Sequence, residues 1–245
     1  KYILKKLNVF LFNQSFIYDI SLISGLEAEN IYPETKFSKK KIYTHSFDYE
    51  TTLKKKKISN QKNLGIFIDE NLISHPDYKL FNIDINRYKL EYYKNLRKTL
   101  KYFEKKYKIK IVICVHHSVW NKNFNNFFKG FKCVIGKTEE YSKKASLTIL
   151  HQSTAISFSV IYKKPLIFLN YSKLKNTFIF NNINRMAKLF NKKPYFIDKE
   201  ILPNKIIDFK VDKRHYSKYL NNYIIHPKAN KTYSMWNLLV KEINR

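Results

Sequence analysis

Between Leu64 and Phe190 the hydrophobic period switches repeatedly from that of a strand to that of a helix and back. Five short apolar runs read as strands: Leu64–Ile68, Ile109–Val115, Cys133–Ile135, Leu147–Leu150 and Leu166–Leu169. The β-branched run Ile109–Val115 has the composition of a strand covered on both faces. Helical segments separate the runs. In the strongest, Asn86–Tyr107, Leu96, Leu100, Phe103 and Tyr107 recur at spacings of 4, 3 and 4 with lysines between them. Asn123–Phe128, Glu139–Lys144, Thr154–Lys163 and Lys173–Phe190 read as further helices or helical turns. Strands alternating with helices in this way form βαβ crossovers, so the expected fold class is α/β: a Rossmann-like, doubly wound parallel sheet.

The flanks are less regular. Asn8–Phe12 and Lys41–Thr44 read as strands, and Ile17–Glu29 as a helix followed by a turn at Ile31–Pro33. Lysines 54–57 and the polar residues after them mark a break. The expected organisation is an N-terminal portion over 1–57, a linker over 58–63, a Rossmann-like domain over 64–232 and a C-terminal helix over 233–245. Within the 64–232 domain, strand Tyr195–Ile197 and helix Lys213–Tyr223 complete the pattern, and the last helix is expected at Tyr233–Ile243. Residues 1–57 are too few for an α/β domain of their own, so this portion is expected to be incomplete. A first residue of Lys rather than Met suggests a longer parent chain.

Composition narrows the function classes. No run approaches the ~20 apolar residues of a membrane span, and Lys1–Phe12 has no small-residue cleavage site, so a cytoplasmic protein is expected. Cys114 and Cys133 fall within strands and lack metal-ligand spacing, which makes them buried hydrophobes in a reducing compartment. Lys and Arg number 47 against 19 Asp and Glu, a net charge of +28. Such a surplus attracts nucleic acid, anionic lipid or phosphorylated ligands. The chain is also rich in Asn, Ile, Tyr and Phe, the residues of A/T-rich codons. The lysines are scattered along helices rather than gathered in a stripe, so the charge favours solvated faces and peripheral contact with an anionic membrane over a specific nucleic-acid interface.

In an open parallel sheet, ligands bind beyond the carboxyl ends of the strands. Leu64–Ile68 is followed by Asp69-Glu70-Asn71 and then His75-Pro76-Asp77. Ile109–Val115 is followed by His116-His117-Ser118, Cys133–Ile135 by Gly136-Lys137-Thr138-Glu139, and Leu147–Leu150 by His151-Gln152-Ser153-Thr154. Four strand ends of this character suggest one site for a small anionic ligand. At His151–Ser157 a strand passes into a helix with Ser153 or Thr154 at its N-cap, where free N–H groups and the hydroxyls of Ser153, Thr154 and Ser157 favour a phosphate or carboxylate. The plain alternative is an ordinary cap, with His151 satisfying a loop carbonyl. Gly136-Lys137-Thr138 resembles the end of a Walker A sequence, but Phe131 stands where its first glycine belongs, so Lys137 and Thr138 are either phosphate contacts or a basic turn. His116 and His117 point to opposite faces of an extended chain and cannot easily share a metal ion. Asp69 and Glu70 are candidate general bases, or turn caps.

Three segments carry a family resemblance: Gly136-Lys137-Thr138-Glu139-Glu140, then His151-x-Ser153-Thr154-Ala155-x-Ser157-Phe158, then Lys164-Pro165-Leu166-Ile167-Phe168. Together with Phe67-Ile68-Asp69-Glu70 and His75-Pro76-Asp77, they resemble the donor half of GT-B glycosyltransferases that build bacterial capsule and lipopolysaccharide. The group is distantly allied to CMP-sugar-using sialyl- and Kdo-transferases. The resemblance covers residues 64–170. It implies the C-terminal half of a GT-B fold, a nucleotide-sugar donor, a glycan or glycolipid acceptor, and no metal or other cofactor. By this resemblance Asp69, Glu70 and His117 are the candidate catalytic residues. His116, Lys137, Thr138, Glu139, His151, Ser153, Thr154 and Ser157 are the candidate donor contacts. The rival expectations are a basic nucleic-acid-binding protein and a non-catalytic remnant of a transferase.

Overall fold

The computed structural model describes residues 18–53, 61–74, 78, 84–116, 124–199 and 209–244. The chain divides into two compact units, one of residues Lys1–Lys55 with Ser217–Arg245 and the other of Lys56–Tyr216.

In the first unit β1 (Ile20–Ile23) pairs in parallel with β2 (Lys40–Tyr43), Ile20 opposite Lys40 and Ile23 opposite Tyr43. Between them lie the single helical turn α1 (Ala28–Ile31) and a 3-10 turn at Pro33–Phe37. Helix α2 (Phe47–Leu53) follows β2. The helix expected over Ile17–Glu29 is therefore a strand and a late turn. β-Branched Ile20 and Ile23 lose rotamer freedom in a helix, and Gly25 interrupts one. Residues 20–23 gain instead a strand partner distant in sequence. The expected strand Asn8–Phe12 lies outside the described residues.

The second unit is built on a six-stranded, wholly parallel sheet. Its strands are β3 (Leu64–Ile68), β4 (Lys110–Val115), β5 (Lys132–Ile135), β6 (Leu147–Leu150), β7 (Leu166–Asn170) and β8 (Tyr195–Phe196). Their spatial order is β5-β4-β3-β6-β7-β8. The chain lays down β3, β4 and β5 outward on one side, then returns to the other side of β3 and lays down β6, β7 and β8. The winding direction reverses between β3 and β6, the topological switch point of a doubly wound sheet. Every residue of β3 is buried, and a Cβ at Gly65 would lie 2.9 Å from the end of the Ile109 side chain, which would have to shift to admit it.

Helix α3 (Lys89–Tyr107) buries Tyr92, Tyr93, Leu96, Leu100 and Phe103, the face its sequence spacing marks. Each such aliphatic or aromatic side chain contributes roughly 1.5–3 kcal/mol when fully buried. Lys108 ends the helix in a left-handed conformation (φ 50°), with its N–H returning to the Glu104 carbonyl. Around the sheet follow α4 (Phe124–Phe127), α5 (Thr138–Lys144), α6 (Ile156–Ile161) and α7 (Phe178–Leu189). Thr177 caps α7 by accepting a hydrogen bond from the Phe180 N–H at 3.2 Å, and Ile179, Ile183 and Ala187 form its buried stripe.

Helix α8 (Lys213–Tyr219) leads into a π turn at Leu220–Ile224. Residues 217–244 belong with the first unit. Leu26 and Glu27 N–H groups donate to the Asn221 and Asn222 carbonyls, and His226 N–H to that of Thr44. A Cβ on Gly25 would come within 2.3 Å of the Asn222 oxygen, so only glycine permits this approach. Helix α9 (Met235–Ile243) is capped by Ser234, and the Met235 N–H reaches the Glu50 carboxylate at 2.9 Å. Among the described residues no helix is long and apolar enough to cross a membrane.

Candidate functional site at the switch point

Because all six strands are parallel, their carboxyl ends share one edge, and the residues following β3 and β6 flank the switch point. Asp69 follows β3. Its N–H bonds the Cys114 carbonyl of β4, extending the strand by one residue and turning the side chain inward. One carboxylate oxygen accepts from the Asn71 N–H at 3.1 Å, a local turn that holds Asn71 at φ 55°. The His116 amide also points at the carboxyl group. The second oxygen, Oδ2, is buried without a hydrogen-bond partner. Asp69 is 3% exposed, and this desolvation raises its pKa to about 6 against the opposing backbone hydrogen bonds.

Glu70, also buried, crosses the gap: its Oε1 accepts from the Gln152 N–H on the far side of the switch point at 3.1 Å. Burial pushes its pKa well above the ordinary carboxylate range, and the neighbouring Asp69 charge adds to the shift. Burial thus disfavours the charged form of both carboxyl groups. Two adjacent buried carboxyl groups stand at the switch point.

His151 is where the sequence expectation needs correction. It was a candidate donor contact, but the ring is fully buried and both nitrogens are engaged. Nδ1 lies 2.8 Å from the Leu169 carbonyl oxygen, which can only accept, so Nδ1 carries the proton. Nε2, 2.8 Å from the Tyr92 hydroxyl, must then accept from it. Desolvation lowers the pKa to about 4 and keeps the ring neutral. Phe67 packs edge-on against it at 5.6 Å. His151 therefore braces the loop after β6 from beneath and does not face a ligand.

The expected cap is also corrected. Helix α6 begins at Ile156, with Ala155 at its N-cap and no side-chain capping bond. Ser153 Oγ accepts from the Ala155 N–H at 3.2 Å, and Ser157 Oγ donates to the Thr154 carbonyl at 2.9 Å. The Ile156, Ser157 and Phe158 N–H groups are taken by the carbonyls of Ser153, Thr154 and Ala155. The helix start thus has its first donors used locally. The N–H groups of Ser153 and Thr154 have no acceptor among the described residues, and Thr154 is exposed. The anion-binding potential of this segment moves one or two residues upstream of the expected position.

The remaining candidates are dispersed. Lys137 and Thr138 open α5 beyond β5, three strands from β6 and so roughly 14 Å across the sheet. Lys137 is exposed, and the Thr138 hydroxyl turns toward the Cys114 thiol. Glu139 was expected at the donor, but its carboxylate is buried and accepts a hydrogen bond from the Tyr162 hydroxyl. That bond ties α5 to the end of α6 and withdraws Glu139 from the crevice. His116 is half-buried beside Asp69, while His117, Ser118 and the segment His75-Pro76-Asp77 lie outside the described residues. Sequence reasoning did not single out Gln152 or Tyr92. Gln152 stands within the segment it emphasised; Tyr92 is buried on α3, and its bond to His151 joins positions 59 residues apart.

No family model matches the chain, and no curated protein does. Solved structures resemble it. The wall teichoic acid polymerase TagF superposes with a TM-score of 0.50 at 11% identity, covering 99% of this chain and 61% of that one. A Staphylococcus aureus MnaA structure with UDP gives a TM-score of 0.46 at 12% identity, covering 92% and 60%. The Methanocaldococcus jannaschii UDP-GlcNAc 2-epimerase in complex with UDP-GlcNAc and UDP gives 0.43 at 13% identity, covering 82% and 59%. The chain spans about three-fifths of the length of these structures. At such identities the likeness to TagF is one of fold, a GT-B-type α/β architecture with a Rossmann-like parallel sheet.

Proposed function

We propose that the protein handles a nucleotide sugar at the β3/β6 switch point and transfers its glycosyl group to a hydroxyl of a glycan or glycolipid acceptor. One observation carries this reading: Glu70 and Gln152 are joined across the switch point, with the unpartnered Asp69 Oδ2 on one side and the open N–H groups of Ser153 and Thr154 on the other. Those N–H groups suit an anionic phosphate, and Asp69 suits a hydroxyl. In the proposed step Asp69 takes the acceptor's hydroxyl proton while the acceptor oxygen bonds the anomeric carbon. The bond from that carbon to the donor phosphate breaks, and the leaving nucleotide carries away the electron pair. The Ser153 and Thr154 dipoles are fixed in place, so stabilising that developing charge requires no reorganisation. Glu70 holds the two walls in register through its bond to the Gln152 N–H.

The finer assignments are a bacterial surface polysaccharide as product, CMP as the donor nucleotide, independence from metal ions, and a cytoplasmic location at the membrane periphery. The fold likeness to a polymer-forming enzyme supports the general class, and the resemblance of residues 64–170 supports the donor. The test is a transfer assay with CMP- and UDP-sugars in the presence and absence of EDTA. Nucleotide release that depends on Asp69 and is unaffected by EDTA supports the reading. Release equally fast in Asp69→Asn removes the base from it, and no binding of either nucleotide removes the reading itself.

A further inference from the structure

Scattered in sequence, four lysines of α3 fall into a row in the structure. Leu90, Lys94, Lys98, Lys101 and Lys105 are all exposed and recur at spacings of 4, 4, 3 and 4. They therefore share one stripe, on the side of the helix away from the buried Tyr92, Leu96, Leu100 and Phe103. The stripe runs for roughly 22 Å, at a rise of about 1.5 Å per residue. Leu90, at its first turn, is 81% exposed.

The row keeps most of its charge. Several lysines elsewhere are paired with carboxylates: Lys39 with Asp19, Lys41 with Glu29 and Lys144 with Glu140. Within the row only Lys101 has such a partner among the described residues. Its Nζ lies 2.6 Å from Glu104 Oε2 and 4.3 Å from the centre of the Phe131 ring. The other Glu104 oxygen accepts from the Ile111 N–H at 2.9 Å. Lys94, Lys98 and Lys105 form no ion pair or hydrogen bond among the described residues. Glu91 stands at the margin of the row, and Glu104 is the other carboxylate of the helix.

We propose that this face of α3 is a docking surface for an anionic lipid bilayer. The proposal rests on the membrane-peripheral location proposed above and names the contact behind it. A helix lying flat brings every side chain of one stripe to the same plane. Lys94, Lys98 and Lys105 then meet anionic headgroups together, and Leu90 enters the boundary beside them. Each lysine held at such a surface raises partitioning roughly fivefold. Single-stranded nucleic acid calls instead for a groove with exposed rings on which bases stack. This face is convex, and Phe131, the ring under Lys101, is half-buried. Strand β3 ends at the carboxyl edge of the sheet and β4 begins at the amino edge, so α3 runs against the strands with Leu90 nearest the carboxyl edge. A bilayer along the row thus leads to the edge that holds Asp69 and Ser153, where a glycolipid acceptor is required.

Co-sedimentation of the full chain with phosphatidylcholine vesicles, with and without phosphatidylglycerol, tests the proposal near physiological salt. Lys94→Gln/Lys98→Gln/Lys105→Gln removes the three unpaired cations of the row. Lys173→Gln/Lys175→Gln/Lys188→Gln removes the same charge from exposed lysines elsewhere on the second unit. Thermal unfolding checks that both variants fold as the parent does. Binding to phosphatidylglycerol vesicles weakened about thirtyfold or more by the first triple, and less than about threefold by the second, supports the surface. Equal weakening by both triples, or none by the first, overturns it and leaves the peripheral location to rest on diffuse charge. Equal binding of the parent to both vesicle compositions, or binding to neither, overturns the location and the surface together. A single-stranded oligonucleotide whose binding falls more steeply in the first triple than vesicle binding does overturns the choice of lipid.

Discussion

The Tyr92 hydroxyl donates to His151 Nε2 at 2.8 Å, fixing a neutral histidine between the longest helix of the second unit and the loop that follows β6. Its Nδ1–H meets the Leu169 carbonyl of β7, so one ring secures helix α3, strand β7 and the loop carrying Gln152, Ser153 and Thr154. The loop of the candidate site is held by this buried side chain.

Replacing His151 should therefore damage folding. His151→Ala leaves the Tyr92 hydroxyl and the Leu169 carbonyl without partners and opens a cavity, at a cost of about 3–5 kcal/mol in chemical denaturation at pH 7.5. The folded-state pKa, about 4, lies below the ordinary 6.5. The stability His151 confers is thus complete above pH 6.5 and is lost as pH falls toward 4. The gap between parent and variant should narrow by about 3 kcal/mol over that window. A gap independent of pH would mean that the ring is not buried neutral.

Asp69 has the opposite dependence. Its folded-state pKa, about 6, lies above the ordinary 3.8, so ionising it costs stability as pH rises through 6, and nothing is lost below about 4. Asp69→Asn keeps an acceptor for the Asn71 N–H and removes the buried charge. The variant should be more stable than the parent at pH 8, by up to about 3 kcal/mol, and equal to it at pH 4. Transfer activity should disappear in the same variant. In the parent, activity should rise with pH through about 6 as the base ionises. A variant less stable than the parent at pH 8 would contradict the desolvation account.

Glu70 separates positioning from charge. Glu70→Gln retains an oxygen that accepts from the Gln152 N–H and should leave stability within about 1 kcal/mol and activity largely intact, because that bond is the role the geometry gives the side chain. Glu70→Ala leaves that N–H unpaired across the switch point and should cost about 1–3 kcal/mol with a weaker grip on nucleotide. Loss of activity in Glu70→Gln equal to that in Glu70→Ala would give the Glu70 carboxyl a role beyond accepting that bond.

The strands of the second unit were legible because parallel strands covered on both faces need apolar runs, and Leu64–Ile68 and Ile109–Val115, with only Lys110 breaking the second, supply them. Helix α3 was legible from the spacing of Leu96, Leu100 and Phe103. Strand β1 was not, because Ile20–Ile23 is short and its pairing with Lys40–Tyr43 is non-local. The strand ends that flank the crevice followed from topology alone. Which side chains turn into the crevice did not, since that depends on distant partners: His151 meets Tyr92, Glu139 meets Tyr162, and Glu70 reaches Gln152, 82 residues away. A polar residue at a strand end reads the same in sequence whether it serves a ligand or braces a loop.

The central claim concerns the two open N–H groups after β6, and the direct test is amide NMR of the deuterated protein during titration with CMP and UDP. The account predicts that the Ser153 and Thr154 amide resonances shift most, with Gln152 following through its bond to Glu70. The Ile156, Ser157 and Phe158 amides, already bonded within the chain, should move little. Saturating shifts centred on α5 or α7, with Ser153 and Thr154 unmoved, would contradict it.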